Sequence, residues 1–216
     1  MKPLLVLAAF PVVLMGWASC SHSGTGHAAL PDPRAVDKSV PEYKNPFHPS
    51  TYAHFVARKD YRKTYDVYKD DTLLNRQPKK SRKIFVCLDE QRGQYLVDGL
   101  VAMDFPLSSG VKAYPTKTGD YAVISKKEDH TSNLYGKMYD AEGKCINYNA
   151  ESTDPIPEGG RFDGSPMPYW QRLTNAGLGL HVGKVRRHPV SHGCVRLPRN
   201  VAEILYRQTS IGTPVT

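Results

Sequence analysis

Hydrophobic residues recur at every second position after Lys83, which predicts β-strands. Ile84, Val86 and Leu88 would lie on one face of such a strand. Arg92-Gly93 is expected to turn the chain into a second strand over residues 95–101, so that the two form a hairpin. Gly and Pro turns separate four further candidate strands at residues 103–108, 119–125, 179–182 and 213–215.

Two segments have the spacing of helices instead. Residues 200–207 carry an apolar stripe behind Pro198 and a predicted Asn200 cap. Residues 52–68 have aromatic side chains at helical intervals, which predicts a short amphipathic helix packed on the domain. The two stripes consist of Val201, Ile204 and Leu205, and of Tyr61, Tyr65 and Tyr68.

The composition also favours a β fold. The chain has 216 residues, with 17 prolines, 17 glycines and 40% hydrophobic residues, which suits one turn-rich domain with appended segments. Because strands dominate and helices are short, we expect a mainly β protein, a sandwich or barrel with one or two short helices.

The N-terminus has the features of an export signal. Lys2 and an apolar run over residues 4–17 are typical of a signal peptide, and the small residues before Cys20 resemble a lipoprotein cleavage site. We therefore expect a signal over residues 1–20, a lipid on Cys20 and a membrane-anchored protein in the cell envelope, facing the periplasm. A plain cleavable signal with an incidental cysteine is the alternative.

Residues 21–51 are rich in Pro, Ser, Gly and His, which predicts a flexible tether, and residues 52–80 form a helical or irregular lead-in. The formal net charge is +8, with basic residues clustered at 79–83 and along 58–69. No nucleic-acid motif accompanies them, so nucleic acid is not an expected partner. Anionic envelope polymer or lipid headgroups are favoured, and a solvated basic face is the alternative.

A cysteine and two histidines stand out between residues 178 and 198. Gly193 permits a tight turn before Cys194, so that amide N–H groups there can point at an oxyanion. A free cysteine has a pKa of about 8.5 and needs a cationic neighbour to become a thiolate at neutral pH. His181, at the end of a predicted strand, is the candidate base. His192 is a rival base or a group that polarises the substrate carbonyl.

Metal binding is the alternative use of these residues. Three histidines and a cysteine within fourteen residues also suggest zinc, but their spacing matches no standard finger, and His188 beside Pro189 is not an obvious third ligand. No metal and no cofactor are therefore expected. Cys87 and Cys145 can pair as a disulfide or remain thiols, and the sequence leaves both open.

The most specific motif is the string Ser-His-Gly-Cys-Val-Arg-Leu-Pro at residues 191–198, preceded by His181-Val182-Gly183. This arrangement resembles the active-site signature of the L,D-transpeptidase catalytic domain family. The resemblance covers residues 81–216 and includes three further segments, at residues 105–110, 114–119 and 167–170.

The resemblance implies a β-sandwich domain that acts on peptidoglycan stem peptides. In the family, a cysteine attacks the amide between the third and fourth residues of a stem tetrapeptide and D-alanine leaves. The side-chain amine of another stem then takes the acyl group, which cross-links the two third residues. Carried over by position, Cys194 is the nucleophile, His181 is the base, and Gly193 with Cys194 supplies the oxyanion amides.

Other positions receive weaker assignments from the resemblance. Arg196 and Ser191 are expected at the substrate, with bracing of the loop as the alternative for Arg196. Val182 has no group that could hold the imidazole, so a backbone carbonyl is expected to fix its tautomer. Tyr169 and Trp170 are expected to line the donor pocket or to fill the core.

Two other functions remain open on sequence grounds. Water in place of the second stem peptide would make the protein an L,D-carboxypeptidase or a cross-link hydrolase that uses the same thioester. A non-catalytic wall-binding lipoprotein would retain the fold, although such a protein has no need for an activated thiol.

Overall fold

The computed structural model describes residues 32–77 and 81–216. The signal peptide predicted for residues 1–20, Cys20 and the first part of the predicted tether lie outside the described residues. In the ranges that are described, none of the helices has the length and hydrophobicity that a membrane crossing requires.

Three sheets carry most of the fold, which confirms the mainly β prediction. The first consists of Tyr68–Lys69 (β1), Arg82–Cys87 (β2), Arg92–Val97 (β3), Leu100–Pro106 (β4), Tyr121–Ala122 (β5) and Pro214–Val215 (β13), in the order β1-β4-β3-β2-β13-β5. The second consists of Ser125–Lys127 (β6), Trp170–Arg172 (β10), Gly179–Val182 (β11) and Val195–Leu197 (β12), in the order β12-β11-β10-β6. The third consists of Thr131–Tyr139 (β7), Cys145–Glu151 (β8) and Arg161–Pro166 (β9), in the order β8-β7-β9.

The first two sheets and the helix α3 (Arg199–Gln208) share one hydrophobic core. Each large aliphatic or aromatic side chain that is fully buried there contributes about 1.5–3 kcal/mol to folding. The core therefore fixes the mutual position of β11 and β12, the two strands next to the predicted catalytic residues. Its completely buried members include Ile84, Tyr95, Phe105, Leu180, Leu197 and Leu205.

The first hairpin turns at residues 88–91, not at Arg92-Gly93 as predicted. Arg92 and Gly93 begin β3. A glycine is needed in the strand because the aromatic ring of Phe105, on the neighbouring strand, occupies the place where a Cβ atom of residue 93 would lie.

A second turn divides the strand predicted over residues 95–101. Asp98 and Gly99 have φ angles of 51° and 80°, the pair of positive values that characterises a type I′ hairpin turn. Asp-Gly suits that turn, because both residues tolerate left-handed backbone. The chain therefore forms two successive hairpins, β2–β3 and β3–β4.

The lead-in is less helical than predicted. The helix α1 (Tyr52–Ala57) ends because Arg58 has extended backbone, with φ −60° and ψ 143°. The prediction of a helix over residues 52–68 is therefore wrong beyond Ala57, and Tyr68 belongs to the strand β1 instead. With a further short helix, α2 (Asp71–Asn75), the described residues contain three helices, where one or two were expected.

Residues 32–51 pack against α1, which differs from the flexible tether predicted for residues 21–51. Three polar side chains of this segment donate hydrogen bonds of 2.7–2.9 Å to backbone carbonyls at the end of α1, and Phe47 is buried. The helix end supplies carbonyls without helical partners, which explains why these donors order the segment. The three donors are Lys38, Tyr43 and Asn45.

The helix α3 extends one residue beyond the predicted range at each end. Pro198 occupies the N-cap position and makes no side-chain cap, so Asn200 lies inside the first turn and is not the cap that was predicted. At the other end, the ammonium of Lys126 donates to the carbonyl oxygens of Tyr206 and Thr209. A cation at a helix C-terminus interacts favourably with the helix dipole.

The third sheet was not predicted from the sequence. Its strands are mostly exposed on both faces, and only Met138 and Ala150 are buried hydrophobic residues. They therefore lack the alternation that marks a half-buried strand. Glycine is required at two positions, because a Cβ on Gly136 or Gly164 would collide with a backbone carbonyl of the neighbouring strand.

Candidate active site

Cys194 lies immediately before β12, at the end of a parallel strand pair. In this pair Leu180 of β11 is opposite Val195, and His181 is opposite Arg196. The Cys194 Sγ donates a hydrogen bond of 3.3 Å to the carbonyl oxygen of Gly177, in the turn that leads into β11. The strand pairing therefore brings the predicted nucleophile and the predicted base onto neighbouring strands.

Cys194 is set between opposing electrostatic effects. Burial raises the pKa of the thiol above its ordinary value. The backbone N–H of Gly179 and the guanidinium groups of Arg196 and Arg172 lower that pKa. The site thus holds a protonated thiol at rest and surrounds it with one N–H donor and two cations that favour the thiolate.

His181 is neutral at physiological pH. Only 7% of its surface is exposed, and burial lowers its pKa to about 4, with smaller lowering effects from Arg196 and His130. Its Nδ1 lies 2.7 Å from the carbonyl oxygen of Val182, which assigns the proton to Nδ1 because a carbonyl can only accept. The lone pair is then on Nε2, the atom available to take a proton, and the partner is a backbone carbonyl as expected.

The turn before Cys194 is held by the hydroxyl of Ser191. This hydroxyl donates to the Cys194 carbonyl at 2.5 Å and accepts from the Gly193 N–H at 3.2 Å. Gly193 has φ 112°, a value that requires glycine, and Thr116 donates to its carbonyl at 2.6 Å. Ser191 is buried and occupied with the turn, so its substrate contact stays a prediction that its position does not favour. The Gly193 amide is likewise bonded within the turn.

His192 lies in an aromatic cluster. Its ring stacks on Tyr135 with centroids 4.4 Å apart and lies 4.7 Å from the ring of Tyr114. Burial raises the pKa of the Tyr135 phenol most, followed by Glu151 and Tyr114, and the Cys194 thiolate adds a smaller increase. Sequence analysis missed both tyrosines; Tyr114 begins one of the segments that resemble the family, whereas Tyr135 lies in the unpredicted sheet.

Trp170 and Tyr169 pack inside the domain. Trp170 is buried between His130 and His181, with ring centroids at 5.0 Å and 6.0 Å. Tyr169 is partly buried, has φ 55° and packs against the ring of Tyr206 at 5.6 Å. These positions correspond to the core alternative for both residues, and their role in a donor pocket stays a prediction.

Arg196 lies across the strand pair from His181. Its aliphatic stem occupies the space beside Gly183, where a Cβ would come within 2.7 Å of the Arg196 Cγ. Burial lowers the pKa of the guanidinium, and the Cys194 thiolate raises it. The charge of Arg196 is thus electrostatically linked to the sulfur.

Two neighbouring serines, Ser108 and Ser109, brace the segment between His181 and Cys194. The buried Ser108 hydroxyl accepts hydrogen bonds from the N–H groups of Arg186 and Arg187, at 2.8 Å and 3.1 Å. The Ser109 carbonyl accepts from the N–H of Ser191 at 3.0 Å. These bonds fix the middle of the loop and its end at Ser191, and a serine pair gives no sequence signal for such a role.

No disulfide joins Cys87 and Cys145, which lie in different sheets. Within residues 32–77 and 81–216, no three His, Cys, Asp or Glu side chains are grouped as metal ligands would be.

The family model of the L,D-transpeptidase catalytic domain, YkuD, matches residues 81–216. A curated relative, "Probable L,D-transpeptidase 3" of Mycobacterium tuberculosis, is 32% identical over 117 residues, which are 51% of this chain and 36% of the relative. The match thus spans about a third of that relative's length.

Solved structures of L,D-transpeptidases match parts of this chain at low sequence identity. An L,D-transpeptidase from Mycobacterium smegmatis has a TM-score of 0.48 and 21% identity, covering 62% of this chain and 57% of that one. An L,D-transpeptidase from Stackebrandtia nassauensis has a TM-score of 0.47 and 22% identity. The match covers 76% of this chain and 64% of that one. Because the family model matches more than half of the sequence, this chain belongs to the L,D-transpeptidase catalytic domain family.

Proposed function

We propose that this protein is a peptidoglycan L,D-transpeptidase that forms cross-links between stem peptides through a thioester on Cys194. The observation that carries the proposal is the pairing of β11 with β12, which sets a neutral His181 opposite Arg196, two residues beyond the cysteine. Family membership supplies the reaction class.

In the first half-reaction, the Nε2 of His181 takes the proton of the Cys194 thiol. The thiolate attacks the carbonyl carbon between the third and fourth residues of the donor stem, and the oxygen becomes an oxyanion. The thiol must leave the Gly177 carbonyl for this step. When the tetrahedral intermediate collapses, the carbon–nitrogen bond breaks and His181 gives its proton to the departing amine of D-alanine.

In the second half-reaction, the side-chain amine of another stem attacks the thioester. His181, neutral again, takes a proton from that amine as the new amide bond forms. The carbon–sulfur bond breaks, and the proton on His181 returns to the Cys194 thiolate. Each half-reaction therefore uses the same imidazole once as a base and once as an acid.

The oxyanion is proposed to bind to backbone N–H groups at Gly193 and Cys194. Because the Gly193 N–H is 3.2 Å from the Ser191 hydroxyl, substrate would have to replace that bond. Exchanging a long neutral bond for one to an anion is favourable, since hydrogen bonds to charged groups are roughly twice as strong.

Arg196 is proposed to support the anionic states of this reaction. Its guanidinium lowers the pKa of Cys194, and a carboxylate of the stem peptide is the substrate group that it would hold.

We also propose that the protein works in the cell envelope, held there by a lipid on Cys20. Incorporation of labelled palmitate into the wild type, and its loss in Cys20→Ala, tests that anchor.

Mass spectrometry after incubation with a carbapenem tests the thioester chemistry. The expected result is one adduct on the wild type and on Cys145→Ala, and none on Cys194→Ala. Cys145 is a suitable control because it is another partly exposed thiol and lies in β8 of the third sheet. An adduct that survives Cys194→Ala contradicts the proposal. Analysis of muropeptides then distinguishes cross-linked products from the shortened stems that a carboxypeptidase would release.

A further inference from the structure

The first part of the predicted lead-in, residues 52–70, here called the lead-in segment, is fixed to the β3–β4 hairpin by a buried polar centre at Asp104. This carboxylate accepts hydrogen bonds from Tyr52 and Tyr61, at 2.7 Å and 2.8 Å, and from the Nε of Arg92 at 2.6 Å. Arg92 and Asp104 are 1% and 0% exposed. The segment is thus a rigid part of the domain.

Arg92 also contacts later residues of the lead-in segment. Its guanidinium lies over the ring of Tyr61, 4.8 Å from the centroid, and donates to the carbonyl of Thr64 at 3.2 Å. The same Thr64 carbonyl accepts a second hydrogen bond, of 2.8 Å, from Arg187. Arg187 belongs to the 183–190 loop, between the predicted base and the predicted nucleophile.

Arg187 also donates to the carbonyl of Glu90 at 3.1 Å, so one side chain joins the loop to two other parts of the chain. Next to it, the hydroxyl of Tyr65 donates to the carbonyl of Arg186 at 3.3 Å. The N–H groups of the same two loop residues bind Ser108, whose backbone pairs with that of Arg196. A continuous set of contacts therefore runs from the lead-in segment to the strand that follows Cys194.

Three features of Arg187 are energetically unfavourable: its backbone conformation, its unbonded Nε and its proximity to another cation. Its φ is 57°, in the region that favours glycine, and its buried Nε has no hydrogen-bond partner in the part of the chain that is described. The positive charge of Arg92 lies nearby, and it repels the Arg187 guanidinium. A residue conformation that is unfavourable in several ways persists only where the surrounding contacts impose it. Such strained conformations are common beside functional sites.

We propose that Arg187 is a positioning residue: through Thr64 it couples the lead-in segment to the 183–190 loop, through Glu90 it holds the same loop to the β2–β3 turn, and it so sets Cys194 relative to His181. The lead-in segment, which lies outside residues 81–216, is then part of the catalytic unit. The inference rests on the proposed function in taking Cys194 as the group whose position matters.

Site-resolved alkylation of Cys194 by iodoacetamide across pH tests this role in the full chain. Arg187→Ala is expected to lower the rate of Cys194 alkylation at pH 7 by about ten- to a hundredfold, because a small displacement of reacting groups has an effect of that size. The pH midpoint of the alkylation should also shift. Arg187→Lys keeps the charge but reaches only one of the two carbonyls, so an intermediate rate is expected. Lys184→Ala, which removes an exposed charge from the same loop, should match the wild type.

A purely structural role would change the melting temperature and leave the rate and pH midpoint at Cys194 unaltered, and that result overturns the inference. If Arg187→Ala does not fold, Arg187→Lys decides: a wild-type rate and midpoint in that variant also overturn it. A different result would contradict the proposed function without contradicting this inference. Absence of cross-linking by the wild type, together with altered alkylation in Arg187→Ala, removes the transpeptidase proposal and leaves the coupling.

Discussion

His181 and Arg196 occupy opposite positions on the parallel strands β11 and β12, and the charge of Arg196 acts on both predicted catalytic groups. It lowers the pKa of the His181 imidazole, after the larger effect of burial. It also lowers the pKa of the Cys194 thiol, whose burial acts in the opposite direction. One cation therefore adds to the effect of burial that keeps the base unprotonated, and it favours the thiolate.

Replacing Arg196 by Gln is expected to raise both pKa values. The thiolate loses a stabilising cation, and the imidazolium loses a repelling one. The pH midpoint for alkylation of Cys194 should move upward, and NMR titration of the His181 ring should show its midpoint moving upward from about 4.

Arg199→Gln is the matched control for this prediction. It removes an exposed guanidinium three residues further along, at the start of α3. At moderate salt that charge should leave both midpoints at their wild-type values, since exposed charges are strongly screened. Equal midpoints in Arg196→Gln and the wild type would mean that Arg196 does not set the electrostatics of the site.

The buried His181 should make stability depend on pH. Its pKa is about 4 in the folded state against 6.5 for the ordinary group, so between these values the unfolded chain binds more protons. Stability is therefore complete above pH 6.5 and is lost as the pH falls towards 4, by about 3 kcal/mol in total. Urea unfolding of the wild type and of His181→Gln at several pH values measures this difference. Stability curves that stay parallel between pH 7.5 and pH 4.5 would contradict it.

The sequence predicted the catalytic strand and the candidate residues because a short local motif encodes them. The range 179–182 for β11 matches the structure at both ends, since its first three residues are buried and a turn precedes it. The turn at Ser191 and Gly193 is also local, within four residues of Cys194.

The contacts that could not be predicted are those between residues distant in sequence. Nothing in the local pattern of Tyr61 indicates that its hydroxyl meets Asp104, 43 residues away, instead of continuing a helix. The Arg187 side chain meets Thr64 over a separation of 123 residues. Tyr135 reaches His192 from a sheet whose exposed strands have no hydrophobic alternation.

Asp104→Asn should be strongly destabilising. The substitution removes the charge that Arg92 neutralises, and the guanidinium is 1% exposed, so an unpaired cation would remain in the interior. Loss of one partner from a buried pair costs about 3–5 kcal/mol. Chemical denaturation measures this cost. Asp163→Asn, in the exposed pair with Arg161, should change stability by less than about 1 kcal/mol. Similar values for the two variants would show that the buried pair does not anchor the lead-in segment.

Lys126→Met should destabilise the protein through the end of α3. The ammonium binds the carbonyls of Tyr206 and Thr209 and lies 4.3 Å from the centroid of the Tyr206 ring, so the substitution leaves two terminal carbonyls without their donor. Methionine retains the length of the side chain, which confines the change to the charge and its hydrogen bonds. We expect a loss of about 1–2 kcal/mol in the free energy of unfolding.

Lys127→Met is the control for this prediction, because the exposed Lys127 side chain lies on the opposite face of the same strand. If both variants unfold at the same denaturant concentration as the wild type, the lysine does not cap the helix.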